Sequence, residues 1–350
     1  MGDLRVAIIG YGLAGRVFHG PLIAATQGLT VATVVTANPA RQTEAARDHP
    51  EAEVVATAAE LWRQPDHELV VVATPNTVHA QLAHEAIDRG VSVVVDKPLA
   101  VTAADADDLV RHAERAGVLL TVFQNRRWDS DQLTLERLLA EDRLGTVLRY
   151  ESRFERWRPD PEPGAWRASA PEEGGGQLLD LGSHLVDQAV SLFGPVTQVY
   201  GEVAAVRGGP ADDDDFLALR HATGVVSHLY ASTIAAAPGP RLRVLGTKAA
   251  FVVQDLDSQE DELRAGRRPD TVPSWGTEPE SRWGRLVQGE ESEAVPSRRG
   301  DWPRFYALVA AALRDGGPPP VDPRDAVTTL RILEAARKSA ATRQSVTLES

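Results

Sequence analysis

The sequence predicts two joined architectures: a doubly wound parallel α/β sheet, then an α+β half with a large, mainly antiparallel open sheet. Three observations carry this. Residues 4–123 alternate unbroken β-branched runs with helical stretches. A glycine-rich turn joins the first run to the first helix. After about residue 124 the texture changes to long segments of period-two alternation. The chain is therefore expected to divide into residues 1–123 and 124–350.

In the first part, apolar runs at 4–9, 29–35, 69–73, 91–95 and 118–123 suit strands buried on both faces. Helical patterns fall between them at 14–25, 41–48, 78–89 and 103–116. Gly90 and Gly117 stand just past helix ends, where a left-handed cap favours glycine. Thr102 is placed as an N-cap. Right-handed crossovers then gather the strand C-termini on one ligand-binding edge.

In the second part, helices are expected near 129–141 and 177–193. Strands are expected at 147–157, 196–206, 216–221, 225–232 and 241–245. The stretch 255–300 is polar and rich in Gly and Pro, and reads as loops and short elements. Two late helices are expected near 302–314 and 323–341, separated by Pro318-Pro319-Pro320. The run Asp212–Asp215 reads as a solvated hairpin turn rather than a metal site.

Composition narrows the function. A net charge of −13 argues against nucleic acid and against anionic membrane surfaces. No apolar run reaches spanning length, and a strand begins by residue 4, so a cytoplasmic protein without a signal peptide is expected. Cysteine is absent, which excludes disulfides and thiolate metal sites.

The glycine turn is Gly10-x-Gly12-x-x-Gly15, following a strand and opening a helix. The first glycine makes the turn, the second lets a pyrophosphate approach the backbone, and the third allows close helix–strand packing. Leu13 and Ala14 lie at the helix start, whose N–H groups favour phosphate. This is a dinucleotide-binding signature of the Rossmann type. The second strand ends without a carboxylate that would bond a ribose diol. Thr36, Asn38 and Arg41 stand there instead and could hold a 2′-phosphate, so NADP is expected, with NAD possible. Thr74-Pro75-Asn76 ends the strand at 69–73, where the nicotinamide ribose should lie, and His79 follows on the next helix, either as a site residue or as a packing histidine.

Two further motifs carry chemistry. The 37 basic residues include three lysines, hence 34 arginines, and one of those lysines stands in Asp96-Lys97-Pro98 at a strand end. A cation there can bond a substrate oxygen and stabilise a developing alkoxide. Asp180 and His184, four apart after the run Gly174-Gly175-Gly176, share one face of a helix. His184 has the ordinary pKa to take a hydroxyl proton near neutrality, and Asp180 can bond substrate, orient His184, or both. Asp-x-x-x-His could also be half of a metal site, but no companion ligands accompany it, and no metal is expected.

Together these motifs resemble the Gfo/Idh/MocA oxidoreductase family, in which a glycine loop, a Glu-Lys-Pro turn and an Asp-x-x-x-His helix recur; here the turn is Asp96-Lys97-Pro98. The likeness extends to a subgroup similar to bacterial scyllo-inositol dehydrogenases. It is carried by Gly10–Pro21, by Asn125-Arg126-Arg127-Trp128-Asp129-Ser130-Asp131, by the stretch from Asp180 to Gln188, and by Leu192-Phe193-Gly194. The resemblance implies a cleft between the two halves and homo-oligomers, dimers or tetramers, built through the large sheet. It implies Lys97 and His184 as the catalytic pair assisted by Asp180, with Asn125, Arg127, Trp166 and Arg167 on the polar wall that meets cofactor and substrate. The expected reaction interconverts a secondary alcohol and a ketone on a polyol or sugar. Reduction of another keto-sugar, tailoring of an aminocyclitol or nucleotide sugar, and a non-catalytic cofactor-sensing role are the alternatives.

Overall fold

The computed structural model describes residues 2–64, 67–160 and 166–348. Six strands form the first sheet: β1 (Leu4–Ile9), β2 (Leu29–Val35), β3 (Glu53–Val55), β4 (Leu69–Val72), β5 (Ser92–Val95) and β6 (Leu120–Val122). All are parallel, in the order β3-β2-β1-β4-β5-β6. The order reverses beside β1, so a crevice opens between the C-terminal ends of β1 and β4. The strands bury both faces; Leu69 through Val72 are wholly inaccessible. Only β3 was not expected, being a three-residue strand with two apolar positions.

The connecting helices are α1 (Gly20–Ala24), α2 (Pro39–Asp48), α3 (Ala58–Leu61), α4 (His79–Ile87) and α5 (Ala103–Ala116). The stretch expected as one helix over 14–25 begins instead as a π-helical turn, Ala14–His19, that leads into α1. Thr102 caps α5 by accepting from the Asp105 N–H, and Gly117 closes it at φ 67°.

The second half contains α6 (Ser130–Ala140), β7 (Val147–Glu155), α7 (Gln177–Asp180), α8 (Gly182–Phe193), β8 (Val196–Ala204), β9 (Asp214–His221), β10 (Val226–Ser232), β11 (Leu242–Gly246) and β12 (Ala250–Val253). Then come α9 (Gln259–Arg264), β13 (Arg285–Gln288), β14 (Glu291–Ala294), α10 (Pro303–Asp315), α11 (Pro323–Thr342) and β15 (Val346–Thr347). Nine strands make one sheet, β14-β13-β12-β11-β7-β10-β9-β8-β15, antiparallel except where β7 meets β10. Helices α8 and α11 pack on it. The region 255–300, expected as loops and short elements, supplies the short helix α9 and the β13–β14 hairpin that extends the sheet. Among the described residues no helix is long and apolar enough to cross a membrane.

The chain returns to the first sheet late. Trp302 and the α10 residues Phe305, Tyr306 and Val309 join Val6, Ile8, Val34 and Val71 in one apolar cluster. The division near 123 thus separates strands, while a layer of the first sheet comes from beyond residue 300.

The acidic run departs from its expected solvated state. Asp212, Asp213 and Asp215 are buried. Asp212 accepts the Leu178 N–H at the start of α7 at 2.7 Å and faces Arg337 at 2.8 Å. Asp213 accepts from the N–H groups of Val206 and Arg207. These carboxylates satisfy backbone donors that water would otherwise have to reach. Burial, with Asp212 alongside, pushes the Asp215 carboxyl up to about 10. A raised carboxyl favours folding while protonated, so this contribution falls as pH climbs from the unfolded value, about 4, towards 10. Asp215→Asn keeps the shape without the ionisation. Its unfolding midpoint should vary less between pH 5 and 9 than that of the wild type, and should exceed it at the alkaline end, as followed by thermal denaturation.

Candidate active site

A cleft of about 610 Å³ runs along the C-terminal ends of β1, β2, β4 and β5 and is closed by residues of the second half. Two of its three loop glycines are sterically obligatory. Gly10 has φ 97°, and a Cβ there would lie 2.4 Å from the Ala73 carbonyl oxygen. A Cβ on Gly15 would lie 2.0 Å from the Gly10 oxygen, so Gly15 packs helix on strand and does not itself line the cleft. Beside Gly12 there is room: the nearest atom to a Cβ there is Arg41 Nη1, 3.8 Å away. Gly12, Leu13 and Ala14 line the cleft. A tight first glycine, an open second and a packed third fit a dinucleotide pyrophosphate laid against the helix start.

Thr36 and Arg41 line the same end of the cleft. Asn38, expected beside them, does not. Its side-chain oxygen accepts the Arg41 N–H at 3.2 Å as the N-cap of α2, and its exposed amide nitrogen stands beside that end of the cleft.

At the next strand end, Thr74, Pro75 and Asn76 line the cleft. The Asn76 amide donates to the Gly174 carbonyl at 2.9 Å, tying this turn to the glycine run of the second half. Of its two expected roles His79 takes the packing one, which removes it from the cofactor contacts. It is fully buried, with one ring nitrogen 2.8 Å from the Pro98 carbonyl and the other 2.8 Å from that of Thr74. It clamps the ends of β4 and β5 together and does not reach the cleft.

The Asp96-Lys97-Pro98 turn leaves β5 with a cis Lys97–Pro98 peptide. The Lys97 N–H donates to Asp96. Behind it, buried His19 bonds the Tyr306 hydroxyl at 2.6 Å, with its other nitrogen 3.6 Å from Asp96. Lys97 Nζ donates to Asp180 twice: to Oδ1 at 2.5 Å and to the main-chain oxygen at 2.9 Å. An ammonium has three donors, so one remains for a ligand. Arg167 Nε donates to the other Asp180 oxygen at 2.5 Å. Burial alone would raise the Asp180 carboxyl, but Lys97 and Arg167 overcome it and hold the group well below the usual carboxylate range.

Asp180 ends α7, and Leu181 breaks the expected continuous helix before α8 begins. His184, on the first turn of α8, lines the cleft with Asp180 and Lys97. Its pKa is pushed well below the ordinary value by burial, then by Lys97 and Arg126. Asn125 and Arg167 also line the cleft. Trp166 stands there in sequence, but its side chain lies outside the described residues. Among the described residues no group of three or more His, Asp or Glu side chains is placed to hold a metal ion.

Arg127 is corrected as well. Its guanidinium forks onto Asp187 at 2.6 and 2.9 Å and reaches Asp325 at 2.9 Å, away from the cleft. The wall position belongs to Arg126, which packs over Phe154 and pairs with Glu260 at 2.5 Å and Asp129 at 3.3 Å. Sequence reading also missed Arg156, Glu260 and Arg264. Arg156 had a signal: it continues the inward face of Tyr150, Ser152 and Phe154, one period past the end of β7. Among the described residues its guanidinium has no hydrogen bond or ion pair. Glu260 and Arg264 are an i,i+4 pair on α9, one of the short elements of the stretch 255–300, whose sequence carries no motif.

A doubly wound sheet with this loop at its switch point, facing a lysine, a carboxylate and a histidine, defines a nicotinamide-dinucleotide oxidoreductase fold. The chain belongs to the Gfo/Idh/MocA family. Residues 4–124 match the family's NAD-binding Rossmann fold, and residues 136–348 match its C-terminal alpha/beta domain. It is 36% identical to the scyllo-inositol 2-dehydrogenase (NADP(+)) IolW of Bacillus subtilis, over 99% of this chain and 96% of the relative. It is 37% identical to the oxidoreductase YdgJ of Escherichia coli, over 99% of each chain. The solved structure of the Bacillus subtilis oxidoreductase YvaA superposes with a TM-score of 0.93 at 36% identity, covering 99% of both chains.

The two neighbouring arginines should separate by experiment. Arg127→Ala strands the buried Asp187, and Arg126→Ala the buried Asp129, so each should cost about 3 kcal/mol in denaturant unfolding, with the substrate KM unchanged in the folded Arg127→Ala. Arg126→Ala should raise the substrate KM.

Proposed function

We propose that this chain is an NAD(P)-dependent oxidoreductase that interconverts a secondary alcohol and a ketone on a polyol or sugar, with Lys97, His184 and Asp180 as its catalytic set. The observation that carries this is the contact of Lys97 with Asp180, beside His184, in the cleft that the glycine loop also lines, at the end of β5, two strands from β1. Bound nicotinamide supplies the hydride acceptor in oxidation and the donor in reduction. The free N–H of Lys97 bonds the reacting oxygen and stabilises its developing negative charge. His184 is neutral near pH 7 and takes the hydroxyl proton, and it returns that proton in the reductive direction. Asp180 holds the ammonium in place. Asn125, Arg126, Arg156 and Arg167 form the polar wall for the remaining hydroxyls.

The particular substrate is proposed as scyllo-inositol or a close cyclitol, supported by the name of the Bacillus subtilis relative. NADP is proposed as the preferred cofactor. Its support is Arg41 beside Gly12 and the lack of a carboxylate at the end of β2. Domains dividing near residue 123, and a homo-oligomer built through the large sheet, complete the reading. The half-buried row of Tyr200, Phe216, His228 and Tyr230 on that sheet supports the oligomer.

Nicotinamide absorbance with scyllo-inositol, myo-inositol and a panel of aldoses tests the reaction. Lys97→Ala should lower kcat by about 10²–10⁴-fold while cofactor still binds; an active variant would overturn the assignment. Arg41→Ala should raise the KM for NADP by about tenfold and leave that for NAD nearly unchanged.

A further inference from the structure

We propose that Gln124 is a positioning residue for proton transfer: its side-chain oxygen accepts the Nδ1–H of His184 and leaves Nε2 as the bare nitrogen on the cleft side. This rests on reading His184 as the base. A neutral imidazole has one donor and one acceptor nitrogen, and the partner of one decides the role of the other. Gln124 Oε1 lies 3.2 Å from His184 Nδ1, with the residues 2% and 6% exposed. The main chain of Gln124 is pinned just past β6: its N–H donates to Val122, and its carbonyl accepts from Arg127. The Phe154 ring meets the imidazole in a T-shaped contact on the β7 side, centroids 6.2 Å apart. No protein group among the described residues bonds Nε2.

Asp180, four residues before His184, is the obvious candidate for this role, but both its carboxylate oxygens are taken by Lys97 and Arg167. The orienting task falls to an amide just past β6, where the two halves join. The substitution has a chemical consequence. A carboxylate on Nδ1 would raise the basicity of the ring, whereas an amide orients it without adding charge. The charged groups facing His184 are then Lys97, Arg126 and Arg241, which disfavour its protonation, and Asp180, which opposes them. The base therefore stays deprotonated at pH values where an ordinary histidine would be charged.

The experiment uses the full chain with histidine labelled in its ring nitrogens, His184 being assigned by the signal lost in His184→Gln. The wild type should show Nδ1 protonated and Nε2 bare. Its kcat/KM for alcohol oxidation should hold on the acid side to below the usual histidine range. Gln124→Glu should move that acid limb up by about one pH unit or more. Gln124→Leu, with no acceptor, should lower kcat about tenfold while the cofactor KM holds. A wild-type ring protonated on Nε2, or an acid limb unmoved in a folded, cofactor-binding Gln124→Glu, would overturn the proposal. If the variant does not fold, the wild-type tautomer decides. Failure of the base assignment itself would look different: His184→Gln would retain turnover.

Discussion

One buried ion pair holds the site together. Lys97 leaves β5 in the first half, and Asp180 ends α7 in the second, 83 residues later. The ammonium side chain is 15% exposed and the carboxylate 6%. Removing two such charges from water costs several kcal/mol each, recovered only when further hydrogen bonds complete the pair. Here they do: Lys97 also bonds the Asp180 carbonyl, and Arg167 takes the second carboxylate oxygen. The contact is thus both a seam between the two halves and the device that fixes the Lys97 ammonium against the cleft. Asn76 bonding Gly174 is a second stitch along the same seam.

The other elements converge on that pair. The α7 segment carrying Asp180 is fixed at its start by Asp212, whose carboxylate accepts the Leu178 N–H. A Cβ on Gly176 would come within 2.3 Å of that same carboxylate, so the backbone can turn there only as glycine. On the other side, His79 binds the carbonyls that follow β4 and β5, and His19 with Tyr306 backs Asp96. His79 and His19 thus hold the turns that flank the cleft rather than line it.

How much of this was legible follows from where each residue finds its partners. The glycine loop, Lys97, Asp180 and His184 could be read because their spacing is local and their residue types are chemically restrictive. The strands β1, β2, β4, β5 and β6 announced themselves as unbroken apolar runs, since a sheet covered on both faces needs them. β13 and β14 did not: Arg285–Gln288 and Glu291–Ala294 are mostly polar, and their strand character comes from pairing at the sheet edge. Arg126 and Arg127 could not be told apart, because the side chains that claim Arg127 lie 60 and 198 residues away. The acidic run misled for the same reason: a local charge cluster reads as solvated until the distant backbone donors it satisfies are in view.

Net charge carries the same lesson at larger scale. The chain bears −13, yet its cleft is lined by Arg41, Lys97, Arg126, Arg156, Arg167 and Arg264 against Asp96, Asp180 and Glu260. Most of these cations are spoken for: Glu260 takes Arg126 and Arg264, and Asp180 takes Lys97 and Arg167. Arg41 sits at the glycine-loop end, where a dinucleotide is most anionic, and Arg156 lies one strand period past Phe154, the ring beside His184. A desolvated guanidinium without a protein partner is unfavourable until a ligand oxygen reaches it. Arg156 is half-buried, and Glu260 and Asp180 partly offset that burial, so a positive group is kept on the cleft wall at little cost to the fold.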